Sequence, residues 1–130
     1  TPVSGIQVAH NDLIISTQGR SFWILDDITP LRELSDRVAK ADVHLFKPRD
    51  AYRVNDTGPG GEYAPEGKPS GAIIHYYTQK ADKVLLEILD SKNNVAHTFT
   101  TDSSMAKKPG FTIIKSKDGM QRLVWNLTWP

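Results

Sequence analysis

Runs of aliphatic, β-branched and aromatic residues of strand length, bounded by turn residues, recur along this chain, and in the last of them apolar and polar positions alternate with a period of two. Asp12-Leu13-Ile14-Ile15-Ser16-Thr17 and Arg20-Ser21-Phe22-Trp23-Ile24-Leu25-Asp26 are β-rich runs separated by Gln18-Gly19. A two-residue connection whose glycine supplies a positive φ predicts a hairpin there. The period then changes. Thr29-Pro30 fits an N-cap followed by the first helical position, and Leu31, Leu34 and Val38 recur at helical spacing, so one short helix is expected from Pro30 to Val38.

After Ala41 the pattern is that of strands alone. Asp42-Val43-His44-Leu45-Phe46 stops at Pro48, and the Gly- and Pro-rich stretch from Asn55 to Ser70 reads as a surface loop. Gly71 to Tyr77, Lys83 to Asp90 and Val95 to Thr100 have strand length and strand composition. Ser91-Lys92-Asn93-Asn94 suits a hairpin connection, because asparagine tolerates the left-handed conformation. In the last run Leu123, Trp125, Leu127 and Trp129 fall on one face, and Arg122, Asn126 and Thr128 on the other. Short strands spaced by turns, with no helices between them, predict a mainly β fold. The expected architecture is an immunoglobulin-like antiparallel β-sandwich over residues 42–130, with Leu86, Ile88, Phe99, Leu123 and Trp125 in its core. An N-terminal β-hairpin and one short helix precede it over residues 1–41.

Composition narrows the function classes. Sixteen basic and fifteen acidic residues leave a net charge of +1 and no basic stripe, which argues against a nucleic-acid partner. No apolar run approaches the ~20 residues that a membrane-spanning helix needs. With no cysteine, disulfides, thiolate metal sites and a cysteine nucleophile are excluded. The start at Thr1-Pro2 and the strand-like run closing on Pro130 lead us to expect the C-terminal part of a larger protein.

Candidate chemistry is sparse. Asp26-Asp27 are adjacent carboxylates that would suit glycoside hydrolysis or calcium, but consecutive strand residues point to opposite faces, so a turn and helix entry is the expected role. His10-Asn11-Asp12 has no diagnostic metal spacing and reads as a turn into a strand. His44, His75 and His97 lie in three different strands with no triad pattern, which predicts sheet-surface or interface positions. No cofactor, metal or catalytic set is expected. The aromatic residues offer the one serious ligand surface: Tyr63, Tyr76, Tyr77 and Trp129 are the candidate carbohydrate or interface contacts, within a wider set that includes Trp23 and Tyr52. Tyr76 and Tyr77 must split between the two faces of their strand.

The run from Val8 to Leu31, above all Gly19-Arg20-Ser21-Phe22-Trp23-Ile24-Leu25-Asp26-Asp27, resembles the closing blade of bacterial sortilin-like propeller proteins, often labelled glycosyl-hydrolase-like. Phe46-Lys47-Pro48-Arg49, Gly71 to Tyr77, Leu86 to Asp90 and Arg122 to Leu127 look like the immunoglobulin-like domain, of the flagellar hook-capping type, that follows that propeller. Where this family commonly has a histidine before the glycine, this chain has Gln18. The resemblance implies a non-catalytic accessory module of an extracytoplasmic protein, periplasmic or secreted, that braces a preceding β-propeller of the same polypeptide or mediates protein interaction. It carries no aspartate-box motif, Ser-x-Asp-x-Gly-x-Thr-Trp in pattern. Cut off from its partner strands, the hairpin is expected to fold back onto the sandwich or to pair with a second copy as a homodimer. A carbohydrate-binding module with an aromatic platform is the alternative.

Overall fold

The computed structural model of the chain describes residues 1–53, 67–80 and 83–128. Its elements in chain order are β1 (Val3–Ala9), β2 (Asp12–Thr17), β3 (Phe22–Leu25), α1 (Thr29–Glu33), α2 (Asp36–Ala39), β4 (Val43–Leu45), β5 (Ala72–Thr78), β6 (Leu85–Leu89), β7 (Val95–Thr100) and, after a short 3-10 turn, β8 (Phe111–Ile113) and β9 (Gly119–Trp125). They make three sheets of three strands, ordered β1-β2-β3, β4-β5-β9 and β6-β7-β8. The mainly β architecture expected from the sequence is what the chain forms, with the last two sheets arranged as a β-sandwich. One pair departs from the antiparallel rule: β7 and β8 run parallel, with Phe99 opposite Thr112.

The first sheet is a tight meander. β1, which the alternation alone does not single out because its register shifts between Val3 and Gly5, pairs with β2 along its whole length. His10 and Asn11 both adopt positive φ (51° and 65°), the geometry of a two-residue hairpin turn whose twist matches that of the strands. The β2–β3 connection is longer than the two residues expected. Ser16 pairs with Phe22, the Thr17 amide donates to the Ser21 carbonyl (3.2 Å), and Gln18, Gly19 and Arg20 form the loop, with Gly19 at φ +84°. The Trp23 indole N–H donates to the Arg20 carbonyl (3.1 Å) and holds that loop in place.

Nor is the expected single helix continuous. Leu34 and Ser35 are extended, and the Ser35 hydroxyl accepts from the Val38 amide (3.4 Å), so serine caps a second helix instead of sitting inside one. Thr29 is not the cap of the first helix. That position belongs to Ile28, and the Asp27 carboxylate accepts the Thr29 amide (3.1 Å). Leu31 and Leu34 are exposed, and only Val38 of the expected apolar stripe is buried.

β5 is the spine of the sandwich. Ile74, Tyr76 and Thr78 are buried on one face, opposite Leu123, Gln121 and Gly119 of β9. On its other face lie Ile73, His75 and Tyr77, which the Asp27–Ala39 segment covers: the Tyr77 hydroxyl donates to the Ala39 carbonyl (3.1 Å). Phe46, just past β4, is 1% exposed, and its amide donates to the His75 carbonyl (3.1 Å). Ile28 and Val38 before Ala41, and Phe46 after it, are all buried, each contributing roughly 1.5–3 kcal/mol of apolar burial. Of the expected core, Phe99 is buried and Leu86, Ile88, Leu123 and Trp125 are half-buried. The alternation in β9 holds from Gly119 to Trp125 but not beyond, because Leu127 takes a left-handed φ of 59°.

The expectation that the hairpin hides its apolar side chains is overturned for the single chain. All four residues of β3 are exposed, Phe22 to 74% and Trp23 to 61%. The helical segment is tied to β5 through Tyr77 and Ala39, while β3 ahead of it leaves its side chains exposed.

Candidate functional site

The seam between the first sheet and the sandwich brings together Asp12, Asp27, Arg49 and His75. Asp12 opens β2, and its Oδ1 accepts two hydrogen bonds of 2.9 Å, one from the Asp27 amide and one from Arg49 Nη1. One carboxylate therefore joins a strand start, a strand end and the segment after β4. Burial alone raises the Asp12 pKa, but the Asp27 amide and the Arg49 guanidinium outweigh it and hold the carboxyl below its usual range. Asp27 is 5% exposed and sits at φ +62°, a left-handed conformation that aspartate tolerates through local hydrogen bonding. Its Oδ2 lies 3.9 Å from His75 Nδ1. Burial lowers the His75 pKa, Asp27 pulls it partly back and Arg122 lowers it further, so the imidazole is neutral at pH 7 and the approach to Asp27 is a polar contact rather than an ion pair.

Both shifts act in the same direction as pH changes. A lowered Asp12 pKa stabilises the fold fully above the unfolded value of about 4 and less as pH falls through the folded one. A lowered His75 pKa means that the unfolded chain takes up a proton first, so stability falls as pH drops below about 6.5. The urea midpoint is therefore expected to decline from pH 7 to pH 5 and again below pH 4. His75→Gln should flatten the first step and Asp12→Asn the second. An unaltered profile in both variants would remove these groups from the seam's energetics.

Beside this cluster lies a cleft of about 360 Å³. It is lined by the buried Asp27 and Ile73 together with Arg49, Tyr52, Lys68 and Gly71. Gly71 leaves its part of the lining without a side chain. Its φ is +119°, and a Cβ there would run into the Trp125 carbonyl. A second hollow, about 460 Å³, lies at the ends of β6 and β7, but its hydroxyls are engaged with backbone: Thr101 Oγ1 accepts from the Val84 amide (3.0 Å) and Thr100 Oγ1 from the Asp102 amide (3.1 Å).

The residues singled out in the sequence are dispersed. Tyr76 is buried, its hydroxyl 2.9 Å from Ser116 Oγ; Tyr77 is half-buried and serves as a contact to the helical segment. Tyr63 and Trp129 lie outside the described residues. Asp26 and Asp27 do not form a carboxylate pair site, since Asp27 is spent on the Thr29 amide and on the approach to His75. His10 and Asn11 make a turn, and among the described residues no group of three or more His, Asp or Glu is placed to hold a metal. His44 packs edge-on against Phe46 (4.7 Å between ring centres), and His97 Nε2 is 2.8 Å from Thr112 Oγ1. Sequence reasoning missed Arg49 and Lys68, which stand in no periodic pattern; the sole signal was the Phe46-Lys47-Pro48-Arg49 run. No helix among the described residues is long and apolar enough to cross a membrane. Comparisons with protein-family models, with curated proteins and with solved structures gave no match to this chain.

Proposed function

We propose that this chain is a non-catalytic accessory module of a larger extracytoplasmic propeller protein of the glycosyl-hydrolase-like kind, and that it braces the propeller through its first sheet. One observation carries the reading: that sheet is apolar on both faces. By strand register, Ile6, Val8, Leu13, Ile15, Trp23 and Leu25 share one face, while Ile14, Phe22 and Ile24 share the other with Gln7, Asp12 and Ser16. A surface sheet of a finished protein keeps one face polar, and exposed apolar patches of this kind mark contacts with other protein. A sheet with two apolar faces is suited to an inner layer with protein on either side. The sandwich, joined through Asp12, Asp27 and Arg49, would then sit as a rigid cap on that layer.

The test is a longer polypeptide that supplies the preceding strands. In it Trp23 is expected to move to a blue-shifted, quencher-protected environment, and Trp23→Lys and Ile6→Lys should each lower its stability by roughly 2–4 kcal/mol, as charges placed in a core do. In the 130-residue chain the same substitutions should leave the unfolding midpoint nearly unchanged. A Trp23 that stays quencher-accessible in the longer polypeptide would sink the bracing role. If the lysine variants alone convert a dimeric 130-residue chain to monomer, the hairpin is instead a self-association surface.

A further inference from the structure

We infer that the cleft at the seam is a binding site for a small neutral saccharide, one or two sugar rings in size, with Tyr52 as its stacking face. The observations behind this are independent of the bracing role, and of the aromatic residues singled out in the sequence it is Tyr52 that lines the cleft. First, the volume of about 360 Å³ falls at the lower end of small-molecule sites, which run from about 300 to 1,000 Å³. Second, the polar groups in its lining are mixed in kind. Arg49 and Lys68 only donate, while the Asp27 and Asp50 carboxylates only accept. A hydroxyl does both, so a ring carrying several of them can satisfy such a wall from a single position.

An anion fits less well. It would meet Asp27 and Asp50 as well as the two cations, and Arg49 already donates to Asp12 at 2.9 Å. A wholly apolar ligand would displace water from this charged lining with no polar group to replace it. Third, the Tyr52 ring stands at the rim, 79% exposed, with Ala51, Pro69 and Ile73 supplying apolar wall. An aromatic side chain held in water beside an apolar lining suits the C–H face of a sugar. Gly71 leaves part of the lining bare, because no side chain is accommodated there without a clash with the Trp125 carbonyl.

The experiment is a titration of the ¹⁵N-labelled chain, followed through its amide resonances, with a panel of neutral hexoses, pentoses, N-acetylhexosamines and their disaccharides, and with glucuronate and inorganic phosphate beside them. At least one neutral sugar is expected to give saturable shifts centred on Ala51, Tyr52, Gly71 and Ile73. Tyr52→Ala, at an exposed position that the fold does not need, should weaken that binding by about tenfold. Arg49→Lys should weaken it while retaining the charge, because the fork geometry is lost. If no neutral sugar shifts those amides, the inference fails. Shifts indifferent to Tyr52→Ala overturn it as well, and a response to phosphate or glucuronate alone replaces it with an anion site. Trp23 in the longer polypeptide reports on bracing separately, so failure of either reading leaves the other to its own test.

Discussion

Phe46→Ala is expected to destabilise the chain by about 3–5 kcal/mol, the range for deleting a fully buried aromatic ring. Among the described residues Phe46 is the largest side chain with essentially no exposure, and it sits where three elements meet. Its backbone extends the β4–β5 pairing and its ring packs against His44. On the same face of β5, Ile73 and His75 lie under the helical segment. The resulting cavity would open in the seam itself, so both the sandwich and the attachment of the first sheet should suffer. Phe46→Leu, which keeps most of the apolar volume, should cost far less, on the order of 1–1.5 kcal/mol. Denaturant unfolding of the two variants decides the matter: a loss below ~1 kcal/mol for the alanine variant would mean that the ring is not the seam's keystone.

Gly71→Ala should cost about 3–4 kcal/mol, for a reason that has nothing to do with lost contacts. An alanine at φ +119° pays backbone strain of order 1–3 kcal/mol, and its methyl also meets the carbonyl of Trp125, a backbone atom that cannot swing aside. Gly19 is the matched control. Its φ is +84°, yet nothing lies within 4 Å of the added Cβ, so Gly19→Ala should show the conformational penalty alone. Equal losses at the two positions would show that the close approach of Gly71 to β9 contributes nothing.

These two positions also mark how far the sequence could be read. β2, β3, β5, β6 and β7 follow from strand-length runs of strand-forming residues between turn signals, and β9 from alternation, because a half-buried strand leaves a period-two trace. The turn at Asn93 was legible for a comparable reason: its φ of 63° is one that asparagine adopts readily. β1 and β8 were not. The first is interrupted by Gly5, and the second is three residues long in a lysine-rich context. The seam was beyond reach for a different reason. Asp12, Asp27, Arg49 and His75 come from four separate stretches, and nothing in the spacing of single residues encodes that they meet. Tyr76 and Tyr77 were read correctly as splitting between faces, but which of two neighbouring rings is covered depends on the helical segment that lies across β5.

The short span from Asp27 to Ala39 has a mechanical consequence. It is pinned at both ends, by the Ile28 amide on the Asn11 carbonyl (2.7 Å) and by the Tyr77 hydroxyl on the Ala39 carbonyl (3.1 Å), with Ile28 and Val38 buried beside the two attachments. Such a connection is a stiff joint, not a tether. A force that pulls on the far end of the sandwich would reach the first sheet without being absorbed by slack chain. It would load the Asp12–Arg49 contact before any strand pair begins to slide.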